Sequence, residues 1–332
     1  MNQISFIKKK QVTISEITQQ DLTYIAMLLN NGHTIANTLA IVCPSNTSIL
    51  TAISQGKAIE DCFTLRNNTS FYHHYHFFLE FTSFCDAIIF ANEMYNYELE
   101  LRTSLLTKIS YPVFLLFFSL IALSGFTFLL FPQLINSLSI ESTSIFYIIY
   151  IIIKLCLLFI YLLFIVSIII ITYFKFNKSK LYYLFKNNSI RIKLVNEYYS
   201  YITCGYLIIM QSRGISTKQI FYFLSNIKKL DFLRWIHIDI TNSLSKGISL
   251  ADSLNNQSLL TDQFKKLCLI GIQASSFNDI LKEYLVLQMN LWTKKIKHIS
   301  IVIQVTAYSF VGIMVILMYQ VMLLPLNMIE QL

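Results

Sequence analysis

Three long apolar runs govern what this chain can fold into. Val113 to Phe131, Ile145 to Phe174 and Ile299 to Leu324 hold only apolar, small and uncharged polar residues, apart from Lys154. A helix rises about 1.5 Å per residue, so about 20 residues cross the roughly 30 Å hydrocarbon core of a bilayer. Each run is long enough, and three transmembrane helices are expected, at residues 112–132, 145–174 and 299–324. Pro112 and Pro132 fence the first, and Pro325 follows the third. The second exceeds what one crossing needs, so it must tilt or stand its first turns outside the lipid.

The charges orient these spans. Of 26 basic residues, 7 lie in residues 1–108 and 18 in residues 175–298. Lys and Arg beside membrane spans are retained on the cytoplasmic side. Both polar blocks are therefore expected in the cytosol, with residues 133–144 as an external loop and residues 325–332 as an external tail. The first 20 residues carry Lys8, Lys9 and Lys10 but no apolar secretory core. Only 13% of the residues are charged, about half the share usual in soluble domains.

The two blocks differ in sign. Residues 1–108 carry 7 basic and 9 acidic residues, a balance of −2, and residues 175–298 carry 18 and 7, a balance of +11. Lys175, Lys178, Lys180 and Lys186 crowd behind the second span, where anionic lipid head groups account for them. No groove-reading motif accompanies the charge, so no nucleic-acid partner is expected. Six cysteines are scattered without a C-x-x-C pair and read as free thiols in apolar space.

Neither block alternates as strands do; both are apolar at helical spacing. Ile53 to Phe63 (ISQGKAIEDCF) and Leu244 to Leu254 (LSKGISLADSL) share an aliphatic residue and Ser before x-Gly, an aliphatic residue three after the Gly and an acid five after it. Upstream stand Gly32 in LLNNGHTIANTL and Gly214 in IMQSRGISTKQI. A helix end often needs a left-handed residue, which only glycine supplies without a Cβ penalty. Ser216 with Gln219, and Ser249 with Asp252, have the spacing of amino-terminal caps that restart a helix. Gly32, Gly56, Gly214 and Gly247 thus read as turns of a duplicated unit. The fold expected is an all-α membrane protein: two related six-helix cytosolic bundles and three transmembrane helices.

Catalytic chemistry finds little footing. His73, His76 and Glu80 in FYHHYHFFLEF fall on one helical face and offer a weak metal pattern. The surrounding aromatics favour a packed helix in which His76 and Glu80 pair, so neither a metal nor another cofactor is expected. Phosphate loops, nucleophile elbows and zincin helices are lacking, and the protein reads as no enzyme. Lys154 lies nine residues into its span, close enough to the external face to snorkel.

The order of bundle, two spans, related bundle and one span resembles the polytopic platform proteins of type II secretion systems, type IV pili and competence pili. Leu28, Leu29, Gly32, Ile35 and Leu39 are similar to the start of that family's repeat; Gly56 with Ile59, and Gly247 with Leu250, are similar to its second glycine turn. The family's Gly-Glu-x-x-Gly-x-Leu is altered here. Asn92 to Asn96 keeps only the acid, Glu93, and Gly271 to Ser275 keeps only the first glycine. The resemblance implies an inner-membrane platform that couples a cytosolic hexameric assembly ATPase to polymerisation of pilins or pseudopilins. It also implies other inner-membrane assembly proteins as partners, self-association, and contact with membrane lipids. A small-molecule transporter or channel subunit is the alternative, for which three spans with one charge make a poor pathway.

Overall fold

The computed structural model describes residues 17–44, 47–63, 70–133, 145–187, 193–228, 230–273 and 277–329. The external loop expected at 133–144, apart from Gln133, lies outside the described residues, as do Lys8 to Lys10. The described residues form helices and connecting turns, with no strand among them.

The first stretch runs through α1 (Gln19–Asn30), α2 (Ile35–Val42), α3 (Thr47–Ser54), a 3-10 turn (Ile59–Cys62), α4 (Ser70–Leu79) and α5 (Phe84–Gly125). The second runs through α8 (Lys193–Gln211), α9 (Thr217–Ser225), α10 (Asp231–Ser245), α11 (Leu250–Asn255), α12 (Asp262–Gln273) and α13 (Phe277–Ile329). Between them stand a π-helical turn (Phe126–Leu130), α6 (Ile145–Phe176) and α7 (Lys178–Lys186).

Among the described residues three helices are long and apolar enough to cross a membrane: Phe84–Gln133, Tyr150–Phe176 and Phe277–Tyr319. The chain is an all-α membrane protein. Two of these helices begin well before the apolar runs that made the spans legible. Pro112 lies inside α5 rather than at its edge, and α13 continues past Pro325. A proline deletes one backbone hydrogen bond and crowds the carbonyl four residues earlier. That loss is local, whereas an apolar helix in lipid must keep all its other backbone bonds because no water replaces them. A helix therefore has reason to run through the proline.

Residues 1–99 and 193–282 form one compact unit, and residues 100–192 and 283–332 a second. The two polar blocks, read from sequence as separate bundles, thus contribute to one unit. Its centre is α8, in which every residue from Ser200 to Met210 is buried. A helix with a polar stripe would face water; one enclosed all round serves as the axis of a core. Phe78 packs on Tyr206 of this helix, Met94 lies beside Gly205 and the Leu281 carbonyl accepts from Cys204, while Phe71, Ile88, Phe221, Ile236 and Phe264 are buried in the same unit. Gly205 allows a close approach, because a Cβ there would meet Met94 Sδ at 3.0 Å and Tyr97 Cδ2 at 3.2 Å.

The second unit contains the apolar segments. Phe126, Phe131, Tyr150 and Leu317 form its buried cluster, flanked by Tyr147, Ile153 and Met314. Phe131 and Tyr150 stack at 4.8 Å. Lys154 places its ammonium 5.8 Å from the Tyr150 ring centre and 5.9 Å from that of Phe128. Aromatic faces attract a cation, so Lys154 is held against rings at this end of α6.

Candidate functional site

Four helix ends share one geometry. Gly32, Gly56, Gly214 and Gly247 have φ of 85°, 83°, 79° and 80°. At each, the glycine N–H donates to the carbonyl three residues back, and the next N–H reaches five back: Gly247 to Leu244 and Ile248 to Ser243, for example. These paired bonds satisfy carbonyls that a helix end leaves orphaned. Two residues after each glycine comes the next helix's cap: Thr34, Ala58, Ser216 and Ser249. Ser216 and Gln219 form a full capping box, and Ser249 accepts from Asp252 N–H. Ala58 has no side chain to accept, and there the chain makes only a 3-10 turn.

The turn at Gly214 leads to a charged seam. Its neighbour Arg213 pairs with Asp86 at 3.1 Å and lies 5.0 Å over the Phe90 ring. Asp86, Phe90 and Glu93 follow one another at helical spacing along α5. Glu93 is exposed, yet partial desolvation raises its carboxyl above the ordinary value, while Arg213 and Lys282 pull it back. The structure therefore brings Glu93 under the influence of the Gly214 turn. Gly32, Gly56 and Gly247 mark separate turns of the same unit.

Deeper in this unit a polar cluster ties the two stretches. His74 is buried; its Nδ1 lies 2.6 Å from the Tyr206 hydroxyl and its Nε2 3.2 Å from Glu98 Oε2. The Ser70 hydroxyl donates to the same carboxylate oxygen. With neutral His74, Nε2–H donates to Glu98 and the Tyr206 O–H donates to Nδ1, so both ring nitrogens are satisfied. Burial and Glu98 push the Tyr206 phenol well above its ordinary value, which keeps its proton available for that bond. Ser70 on α4, Glu98 on α5 and Tyr206 on α8 thus meet at His74, and the group fastens these three helices together.

His73, His76 and Glu80 sit at the surface of the same unit. With Tyr72, Asn226 and Lys228 they line a cleft of about 330 Å³. Glu80 pairs with Lys228 at 2.8 Å, and His76 packs edge-on to Tyr72 at 4.2 Å. Among the described residues no three His, Cys, Asp or Glu side chains are grouped to hold a metal ion. Local spacing could not reveal the Glu80 pair, whose partner lies 148 residues away. Nor did it reveal Gly205, and it marked Gly271 only through the altered family signature, without its packing role. At Gly271 a Cβ would stand 2.7 Å from the Phe277 ring, so this glycine serves a close approach.

Residues 203–325 match the family described as type II secretion system (T2SS), protein F. The matched segment starts within α8, contains Gly214, Gly247 and Gly271, and follows α13 to Pro325. Gly32, Gly56 and Glu93 lie before it. No curated protein matches the chain. The carboxyl-terminal part of α8, the glycine turns of the second stretch and most of the long apolar α13 fall in the matched segment, and it is over residues 203–325 that the chain is similar to the type II secretion system protein F family.

Proposed function

We propose that this multi-pass protein is an inner-membrane platform of a type IV pilus, competence pilus or type II secretion machine. In this reading it couples a cytosolic hexameric assembly ATPase to polymerisation of pilins or pseudopilins, with no catalysis of its own. The family match over residues 203–325 carries the reading. The parallel succession of helices supports a second, diverged copy of the same unit at the amino-terminal end. Both copies would face the cytosol, as the basic residues bordering the spans require.

Docking is the role that suits the helical unit. Its two stretches differ in charge, with 5 basic and 8 acidic residues in 1–99 and 10 basic and 6 acidic residues in 193–282, a difference suited to steering unlike partners or unlike faces of one assembly. Helices α5 and α13 each contribute to both units, so chain displacement at the docking side has a covalent route to the spans.

The test is copurification of the full chain, in detergent, with an assembly ATPase and pilins from the same cell, at low and high salt. Binding that weakens with ionic strength is expected, since exposed charge is screened within about 10 Å at 0.1 M salt. Loss of fibres on deletion of the gene, with normal pilin levels, is expected too. Fibre assembly unaffected by the deletion would overturn the reading, and ATP turnover by the purified chain would overturn its non-catalytic part. For topology, a cysteine placed at Asn136 should be labelled from outside intact cells and one at Asn256 should not.

A further inference from the structure

We propose that the junction between α6 and α7 is a binding site for an anionic phospholipid, holding an acyl chain in a groove on α6 and the phosphate among the lysines beside it. The charge pattern is the first observation. From Ser142 to Asn196 there is no acidic residue, while Lys175, Lys178, Lys180, Lys186, Arg191 and Lys193 fall within nineteen positions. Lys175, Lys178, Lys180 and Lys186 are all exposed. A basic cluster directly behind a span attracts anionic lipid by roughly 1 kcal/mol per cation, about fivefold in affinity for each.

The depth of the site is fixed by the span itself. Lys154 and Lys175 are 21 residues apart on one helix, or about 32 Å, which matches the roughly 30 Å hydrocarbon core. Lys175 therefore stands at one interface when Lys154 stands at the other. At that interface α6 ends at Phe176, and Asn177 leaves the helical region with φ −115° and ψ 55° before α7 begins. Helix α7 is amphipathic: Tyr182 and Phe185 are buried, and its lysines point outward.

A groove opens at the same place. Ile168, Ile169, Thr172, Tyr173, Phe176 and Asn177 line about 380 Å³, almost all of it apolar. Phe176 is 81% exposed, an extreme value for a phenyl ring and one suited to insertion among lipid tails. Lys180 returns to the edge of this groove, with Nζ 3.2 Å from the Tyr173 hydroxyl and 5.7 Å from its ring centre. An ammonium at the rim of an apolar groove, among further cations and no acid, is complementary to a molecule with a negative head and a hydrocarbon tail. A soluble anion would leave the groove unused, and a zwitterionic lipid would bring its own cation against the lysines.

The full chain in detergent micelles, titrated with phosphatidylglycerol or phosphatidylcholine of identical acyl chains and read by native mass spectrometry, tests this. Phosphatidylglycerol should be retained at least about tenfold more strongly than phosphatidylcholine. Replacing Lys175, Lys178 and Lys180 by Gln should bring the two lipids to equal retention, and replacing Lys218, Lys266 and Lys282 by Gln should leave the preference unchanged. Ile169→Trp, which fills the groove, should weaken both lipids, whereas glycerol phosphate without tails should not compete. Helix content by circular dichroism should be common to all variants. Equal retention by the native chain, an equal loss in the remote triple variant, or full competition by glycerol phosphate would each overturn the proposal.

Discussion

The two helical stretches, one of five α-helices and a 3-10 turn and the other of six α-helices among the described residues, treat their polar groups differently. In the first, His74 satisfies both ring nitrogens, one with Glu98 of its own stretch and one with Tyr206 of the other. In the second, His237 is equally buried but turns Nδ1 to the Leu233 carbonyl at 2.6 Å and stacks on Phe221, leaving Nε2 without a partner. The first histidine joins stretches; the second is a local filler. The turns differ likewise. Ser249 caps an α-helix after Gly247, whereas Ala58 after Gly56 leaves a 3-10 turn. Similar helix order thus tolerates wide differences in side-chain chemistry, provided that the backbone turn is kept.

The largest test of this contrast is acid. Burial holds His237 at about pH 4, against a backbone bond that raises it, while an unfolded histidine titrates near 6.5. The unfolded chain takes up the proton first as pH falls. The stability linked to His237 is therefore complete above about pH 6.5 and lost as pH drops toward 4, by up to about 3 kcal/mol. Thermal unfolding of the full chain in micelles between pH 7.5 and 4.5 should show this slope, and His237→Gln should flatten it. An unchanged slope in the variant would remove His237 from the contrast.

Next in size is the fastener. Tyr206→Phe deletes one hydroxyl and leaves His74 Nδ1 buried without its donor, at a cost of about 2 kcal/mol. A double-mutant cycle with His74→Phe should show strong coupling. Additive effects would mean that the two stretches do not depend on this bond. A smaller effect, about 1 to 2 kcal/mol, is expected for Gly56→Val and Gly247→Val. Nothing lies within 4 Å of a Cβ built at either, so the cost is backbone strain alone. Lys57→Ala and Lys246→Ala serve as near-silent controls.

The smallest test sharpens the comparison. Ala58→Ser supplies the hydroxyl that the first stretch lacks, and should stabilise it by about 0.5 to 1 kcal/mol. Ser249→Ala should cost a similar amount. Opposite signs from the two substitutions, measured as shifts in melting temperature, would show that the cap chemistry separates the matched turns; equal signs would refute it.

These contrasts also divide what could be read in the chain from what could not. Spans were legible because hydropathy is a local sum over about 20 residues. Helix-ending glycines and the Ser216 and Ser249 caps are local as well, with the donor, acceptor and turn all within six positions. Contacts of long reach left no such trace. His74 gives no sign that its partner is 132 residues away, and Glu80 gives none that Lys228, 148 residues on, pairs with it. The helix through Pro112 was missed for the opposite reason: a strong local breaker was outweighed by the demand of its whole helix for continuity.

That continuity sets an angular phase. In α13 no turn separates Phe277, packed in the helical unit, from Leu317, packed in the membrane segment. One residue inserted between Lys294 and His298 would rotate every later side chain by about 100° and advance it about 1.5 Å. Seven inserted residues would restore the facing to within about 20° while lengthening the rod by about 10 Å. Insertions of one to seven residues therefore separate the need for a particular face from the need for a particular length, much as a timing mark on a shaft separates angle from travel.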